Sequence, residues 1–151
     1  MSSKELKSNW LCSIDIEIDA PTVATTSLVV INVNKMNLEG PRLKAKGVAP
    51  SGDWAQIQDN GNWKVDARLA FETDDGETFY CYYQGVVRMT AELNERFANG
   101  EILTQDDIYI ATSPNFWTAS EKYAWLNDII AVGRAASFGG GKLTYDLYEI
   151  L

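Results

Sequence analysis

The stretch WKVDARLAF, residues 63–71, alternates strictly: Trp63, Val65, Ala67, Leu69 and Phe71 fall on one side, Lys64, Asp66, Arg68 and Ala70 on the other, and Glu72 continues the second series. Successive side chains of a strand point to opposite faces, so this period of two is the signature of a half-buried β-strand. Just upstream, DNGN at 59–62 contains Asn60-Gly61. An Asn-Gly pair between alternating runs marks a tight hairpin, because both central residues of a type I′ turn need positive φ. DWAQIQ, residues 53–58, is then the antiparallel partner of 63–71. Whether the Asp66/Arg68 side of this hairpin is solvated or lines something is the question on which function turns.

The same period runs outward in both directions. WLCSIDIEID (10–19) is a half-buried strand, and SLVVINVNKM (27–36) is a second, apolar on both faces at its start as if covered on both sides. GPRLKAKGVAP (40–50) is a strand candidate bounded by prolines, with Arg42, Lys44 and Lys46 opposite Leu43, Ala45 and Gly47. TDDGE (73–77) is a tight turn, and TFYCYYQGVVRM (78–89) is a long aromatic strand of the kind that suits a pleated surface. The alternation lapses over 90–107, where a short helix-like run ends before Gly100, and resumes in IYIATSP (108–114). TASEKYAWLND (118–128) predicts a short helix or turn with Thr118 or Ser120 as N-cap. IIAVGRAA (129–136), the turn SFGGGK (137–142) and LTYDLYEIL (143–151) form the last hairpin. FGGGK lacks the Gly-Lys-Ser/Thr ending and the following helix of a phosphate loop, so it reads as a flexible hairpin.

Eight to ten short strands with one or two short helices and no βαβ rhythm predict an all-β, single-domain, antiparallel up-and-down β-barrel, with residues 1–9 as a lead-in and 10–151 as the barrel. Closure removes exposed edges, and about eight strands leave an interior that either fills with side chains or holds one small ligand.

Composition prunes the functions such a barrel could serve. A chain of 151 residues forms one ordinary domain, and 46% hydrophobic with 23% charged residues is a globular balance. Thirteen Lys and Arg against 21 Asp and Glu give a formal charge of -8, which opposes nucleic acid and anionic membranes as partners. The longest apolar run, LVVI at 28–31, is far too short to span a bilayer, and MSSKELKSNW lacks the apolar core of a signal peptide, so the expected location is cytoplasmic. The chain has no histidine, which excludes Ser/His/Asp triads, Cys/His dyads and histidine-based metal sites, and neither a metal nor another cofactor is expected. Cys12 and Cys81 lie on apolar faces; they could pair across a sheet, but two small buried hydrophobes are the simpler reading.

Two constellations remain. Arg42, Asp53, Trp54, Asp66 and Arg68 cluster in the middle of the chain, and if their face is the lumen, acids, guanidinium groups and an indole converge there. The alternatives are a solvated face or an ion pair that only sets register. The second constellation is tyrosine: Tyr80, Tyr82, Tyr83, Tyr109, Tyr123, Tyr145 and Tyr148. Without histidine, acid–base work near neutral pH falls to a carboxylate with raised pKa, a lysine with lowered pKa or a tyrosine hydroxyl, although most tyrosines in sheets only pack.

The order EGPRLKAKGVAPSGDWAQIQDNGNWKVDARLAFETDDGETF (39–79), YIATSPNFWTASEKYAWLNDIIAVG (109–133) and YDLYEI (145–150) resembles the family catalogued as domain of unknown function 3237, over roughly residues 10–151. The resemblance implies an up-and-down barrel of bacterial and fungal proteins with no established general activity. It places the family's polar signature on Arg42, Asp53, Trp54, Asp66 and Arg68, with Tyr123, Trp125 and Asn127 towards the C-terminal end, and favours an inward Asp66/Arg68 side. Ala111 stands where the family pattern has an arginine, which weakens any anion site there.

These readings lead to an expected cofactor-independent isomerase or cyclase acting on a small conjugated or phenolic carbonyl compound held in the barrel, in specialised metabolism. Asp53 and Asp66 would be the acid and base, Arg42 and Arg68 would stabilise enolate or phenolate charge, and Trp54, Tyr83, Tyr109, Tyr123 and Trp125 would shape the pocket. A non-catalytic carrier of a similar ligand is the alternative, and a self-associating barrel with a filled interior is the third. The expected partner is a small molecule, and homo-oligomerisation stays open.

Overall fold

The structure, a computed structural model, describes residues 4–151, so the first three residues of the expected lead-in lie outside the described residues. The chain runs β1 (Ser8–Ile18), β2 (Thr22–Thr25), β3 (Leu28–Glu39), β4 (Lys44–Ile57), β5 (Trp63–Thr73), β6 (Thr78–Arg88), α1 (Ala91–Ala98), β7 (Leu103–Thr104), β8 (Tyr109–Trp117), a 3-10 turn (Ala124–Asp128), β9 (Ala131–Gly139) and β10 (Lys142–Ile150). Every pairing is antiparallel: β1 pairs with β10, then β9, β8, β6, β5, β4 and β3 follow, and β3 returns to β1. Eight strands close the barrel. The short strands β2 and β7 attach to β3 and β9 as extras.

Parity along β5 decides what fills it. Val65, Ala67, Leu69 and Phe71 are buried, whereas Lys64, Arg68 and Glu72 are exposed. With four apolar side chains aimed inward from one strand alone, the lumen is a hydrophobic core. At the end bearing the β3–β4 and β5–β6 turns, Phe71 stacks on Phe79 at 5.0 Å between centroids, Phe116 follows at 6.1 Å, and Leu126 of the 3-10 turn is buried. At the opposite end Trp63 meets Phe97 and Phe138 edge-on, each at 6.1 Å. Thr112, whose buried Oγ1 has no partner, sits where two strands lack side chains: a Cβ at Gly85 or Gly133 would come within 2.7 or 2.5 Å of it.

Several local expectations are corrected. Segments 40–50 and 53–58 are not two strands but parts of β4, whose register against β5 slips between Val48 and Gly52. That stretch contains Pro50, which has no N–H for the ladder. Side chains replace the missing bonds: Ser51 Oγ accepts from Ala70 N at 3.0 Å, and an Asp53 carboxylate oxygen accepts from Asp66 N at 3.0 Å.

The 53–71 hairpin is present, but Gly61 alone takes positive φ (89°), so its turn is not type I′. Gly61 N donates to Gln58 O and Gln58 N to Asn62 O, a three-residue loop closed by a glycine bulge; Thr73, Gly76 and Glu77 repeat it. Neither Thr118 nor Ser120 caps a helix. Thr118 Oγ1 donates to Thr78 O at 2.7 Å, and the short 3-10 turn starts after Tyr123. Cys12 and Cys81 are free and buried, and burial pushes the Cys12 thiol up to about 12 and that of Cys81 higher still, so neither is a thiolate nucleophile.

Candidate functional site

The lumen holds one charged group among the expected site residues. Asp53 lies opposite Ala67 in the β4–β5 register, on the inward parity, just beyond the slip at Pro50. It lines a cavity of about 40 Å³ together with Trp63, Val65, Ala67, Tyr83 and Tyr145. Its carboxylate is pushed up to about 6, first by burial and then by the nearby charge of Asp66, with the Asp66 N–H bond pulling the other way. Tyr83 and Tyr145 face each other at 5.6 Å between ring centroids, edge to face. Burial raises both phenols well above their ordinary value, with the Asp53 charge adding to each, so at neutral pH they are neutral donors. An ionised carboxylate and two protonated phenols thus share an otherwise apolar pocket.

The cavity is small. A water needs roughly 10–15 Å³ by this measure, so there is room for a few waters, against about 300 Å³ or more for an ordinary ligand pocket. A second apolar cavity of about 50 Å³ lies towards α1, bounded by Pro21, Val29, Ala55 and Phe97. Ile18, Ile31, Trp63 and Phe138 line both. The Trp63 indole, with Ile18, Ile31 and Phe138, therefore forms the wall that the inner cavity shares with the α1 end of the barrel. Helix α1 itself is lightly held: Thr90 Oγ1 caps it by accepting from Leu93 N at 3.1 Å, none of its residues is fully buried, and only Leu93 and Phe97 lean on the core.

The remaining expected residues divide between the wall and the far end. Asp66 and Arg68 point outwards, contrary to the inward expectation; an eight-stranded lumen filled by Val65, Ala67, Leu69 and Phe71 has no place for two unpaired charges. They do not pair with each other, so the register-pair reading fails as well. Trp54 falls beside them outside, 40% exposed. Tyr109 is also external, with the Arg88 guanidinium over its ring at 3.9 Å.

Arg42 sits in the β3–β4 turn at the opposite end from Trp63, 4.0 Å over the Trp125 ring and 2.7 Å from Glu149. Tyr123 is buried at that same end, its hydroxyl donating to Asp75 at 3.0 Å; Lys122 also pairs with Asp75, and these partners hold its carboxyl well below the usual range. Asp53 and Tyr83 are the members of the expected set that meet in the lumen. Tyr145 completes the site and was not among the expected pocket residues, although its spacing with Leu143 and Leu147 in LTYDLYEIL already put it on the apolar side. Among the described residues no three Cys, Asp or Glu side chains converge as metal ligands, and no helix is long and apolar enough to cross a membrane.

Comparison with known proteins agrees with this architecture. The model of the family described as "Protein of unknown function (DUF3237)" matches residues 6–150. A UPF0311 protein of Rhodopseudomonas palustris is 32% identical over 117 residues, covering 74% of this chain and 76% of that one. Another from Clostridium acetobutylicum is 30% identical over 135 residues, 85% of each. Among solved structures, a conserved protein of unknown function from R. palustris superposes with a TM-score of 0.88 at 24% identity over 99% of this chain and 100% of that one. A structure described as an enzyme from Penicillium herquei reaches a TM-score of 0.70 at 16% identity, covering 100% of both chains.

Proposed function

Because this chain belongs to the DUF3237 family, whose name assigns no reaction, we propose from its own lumen that it is a cofactor-independent acid–base enzyme. In this reading it isomerises or cyclises a small conjugated or phenolic carbonyl compound. The carrying observation is Asp53, the one carboxylate among the described residues that line the inner cavity, raised to about 6 in a cavity it shares with two protonated tyrosines. A base with a pKa just below neutrality is largely ionised at pH 7 yet still strong enough to take a proton. Asp53 would remove the proton from a carbon next to the carbonyl, leaving the C–H electron pair in an enolate. Tyr83 and Tyr145 would donate to the oxygen on which the charge collects, and Asp53 would return the proton to a different carbon. The balance closes without an oxidant or a metal.

The structural neighbour from P. herquei supports the reading only to the extent that this barrel can carry an enzyme. A ring-sized substrate would need Trp63, part of the wall between the two small cavities, to move aside. Specialised metabolism remains the proposed setting. The test is deuterium exchange from solvent into cyclohexanone, 1-indanone and 1-tetralone, followed by NMR. Wild-type protein should exchange at least one of them with a rate rising through about pH 6; Asp53→Asn should lose at least about 100-fold. Equal exchange by Asp53→Asn would sink the catalytic reading, and binding without exchange in the wild type would establish the carrier.

A further inference from the structure

The Asp66/Arg68 pair, displaced from the lumen, leaves a second surface to explain. On the outer wall the registers align three rows across β5, β6 and β8: Asp66, Gln84, Ser113; then Arg68, Tyr82, Asn115; then Ala70, Tyr80, Trp117. On β4, Gly52 faces Arg68, and the same register puts Trp54 beside Asp66. Trp117 is 67% exposed and Tyr82 41%, with Tyr80 stacked on Tyr82 at 5.3 Å. Exposed Trp and Tyr beside Arg on a contiguous face are the side chains that anchor interfaces. Asp66 and Arg68 carry opposite charges about 7 Å apart along one strand, by the usual strand rise, and among the described residues neither side chain has an ion-pair or hydrogen-bond partner.

We propose that this wall is the interface of a two-fold homodimer in which Asp66 of each chain pairs with the partner's Arg68. An isologous contact demands that residue i meet j while j meets i, and an unpaired acid and base on one patch supply that condition. A two-fold axis lying in the interface, across β5 between the two charged rows, reverses the row order while keeping each strand opposite its own copy. Asp66 then faces the partner's Arg68. The same operation sets Gln84 opposite the partner's Tyr82, whereas Gly52 is already covered by the Trp54 ring of its own chain, 3.4 Å from where a Cβ there would sit.

The outermost rows also match. Trp117 lies one row beyond Arg68, and its counterpart across the axis is Ala111, which pairs with Val86 one row beyond Asp66. That position is a hollow of about 300 Å³ lined by Lys64, Val86, Ala111 and Ser113. Trp117 of each copy thus meets the hollow at the partner's Ala111. The centre of the patch is a hollow of about 450 Å³ lined by Asp66, Arg68, Tyr82, Asn115 and Trp117, which leaves room for the partner's side chains between the rows. The charge of -8 opposes indiscriminate association, whereas the facing acid and base cancel locally.

Sedimentation equilibrium of the full chain up to high micromolar concentration tests this. The wild type should form a species of twice the chain mass. Arg68→Asp sets acids against acids, and Asp66→Arg bases against bases; each should weaken association at least about 100-fold. The double exchange Asp66→Arg with Arg68→Asp should restore it to within about tenfold, because the reciprocal pairs reform. Ala111→Arg should weaken it about tenfold or more by filling the hollow. Circular dichroism melts check that each variant folds. A wild type that stays monomeric throughout, a dimer indifferent to both single reversals, or a double exchange that stays dissociated would each overturn the proposal.

Discussion

Asp53 combines two roles in one side chain, and the residue scale is where they separate. Its carboxylate completes the β4–β5 ladder at Asp66 N, where the slip at Pro50 interrupts the regular pairing. An amide oxygen can do that as well, so the structural role survives Asp53→Asn and the charge does not. The folded chain keeps a proton on Asp53 up to about pH 6, whereas the unfolded chain releases it around 3.8. Burial of this group therefore carries no penalty below about pH 4; the penalty grows as pH rises through about 6 and is complete above it. Asp53→Asn is expected to be more stable than wild type by about 3 kcal/mol near pH 8, with the two converging near pH 3.5 in urea titrations. An Asn variant less stable at high pH would mean that the carboxylate is held by charge and not merely tolerated. Sequence could nominate Asp53 but not separate it from Asp66: a hairpin places alternate residues on alternate faces, and only the register tells which acid turned in.

Among the elements, the strands follow their alternation and the connections follow local side-chain chemistry. The 3-10 turn illustrates the second case. Asn127 brackets the end of β8, accepting from Thr118 N at 2.9 Å and donating to Thr118 O at 3.0 Å. Asn127→Ala strands both backbone groups, and a loss of about 1–3 kcal/mol in thermal or denaturant unfolding is expected, with the Tyr123–Asp75 bond loosened too. The spacing of TASEKYAWLND predicts a short helix or turn with a hydroxyl cap; a short turn forms, but Thr118 Oγ1 donates to Thr78 O and Ser120 Oγ accepts from Tyr123 N ahead of it, and neither caps a helix. A bond such as that from Thr118 to Thr78, 40 positions away, leaves no periodic trace. The β4 strand shows the same limit: Pro50 reads as a boundary, but a bulge lets the strand run through it.

At the scale of the whole molecule, closure into eight strands gives the two ends different characters. Phe71, Phe79 and Phe116 plug one end, whereas the other keeps two small cavities on either side of Trp63. Trp63→Ala removes that partition. The expected results are a loss of about 3–5 kcal/mol in folding stability and faster uptake of 1-indanone, measured by stopped-flow fluorescence. Uptake that stays as slow as in the wild type would mean that α1, and not the indole, limits entry.

The alternating runs determined the all-β class and the hairpins, because strand parity is a local property that sequence spacing expresses directly; which face of β5 turned inward was decided only when the barrel closed. The missing histidine equally determined that any acid–base chemistry here falls to carboxylates, lysines or tyrosines. Which polar residues meet was decided by tertiary structure alone. Arg42, Asp53 and Asp66 are close in sequence, but strand register, the slip at Pro50 and barrel closure send them to the far end, the lumen and the outer wall. Tyr145, on the last strand, lines the same cavity as Asp53 for the same reason: residues far apart in sequence face one lumen only once the barrel closes.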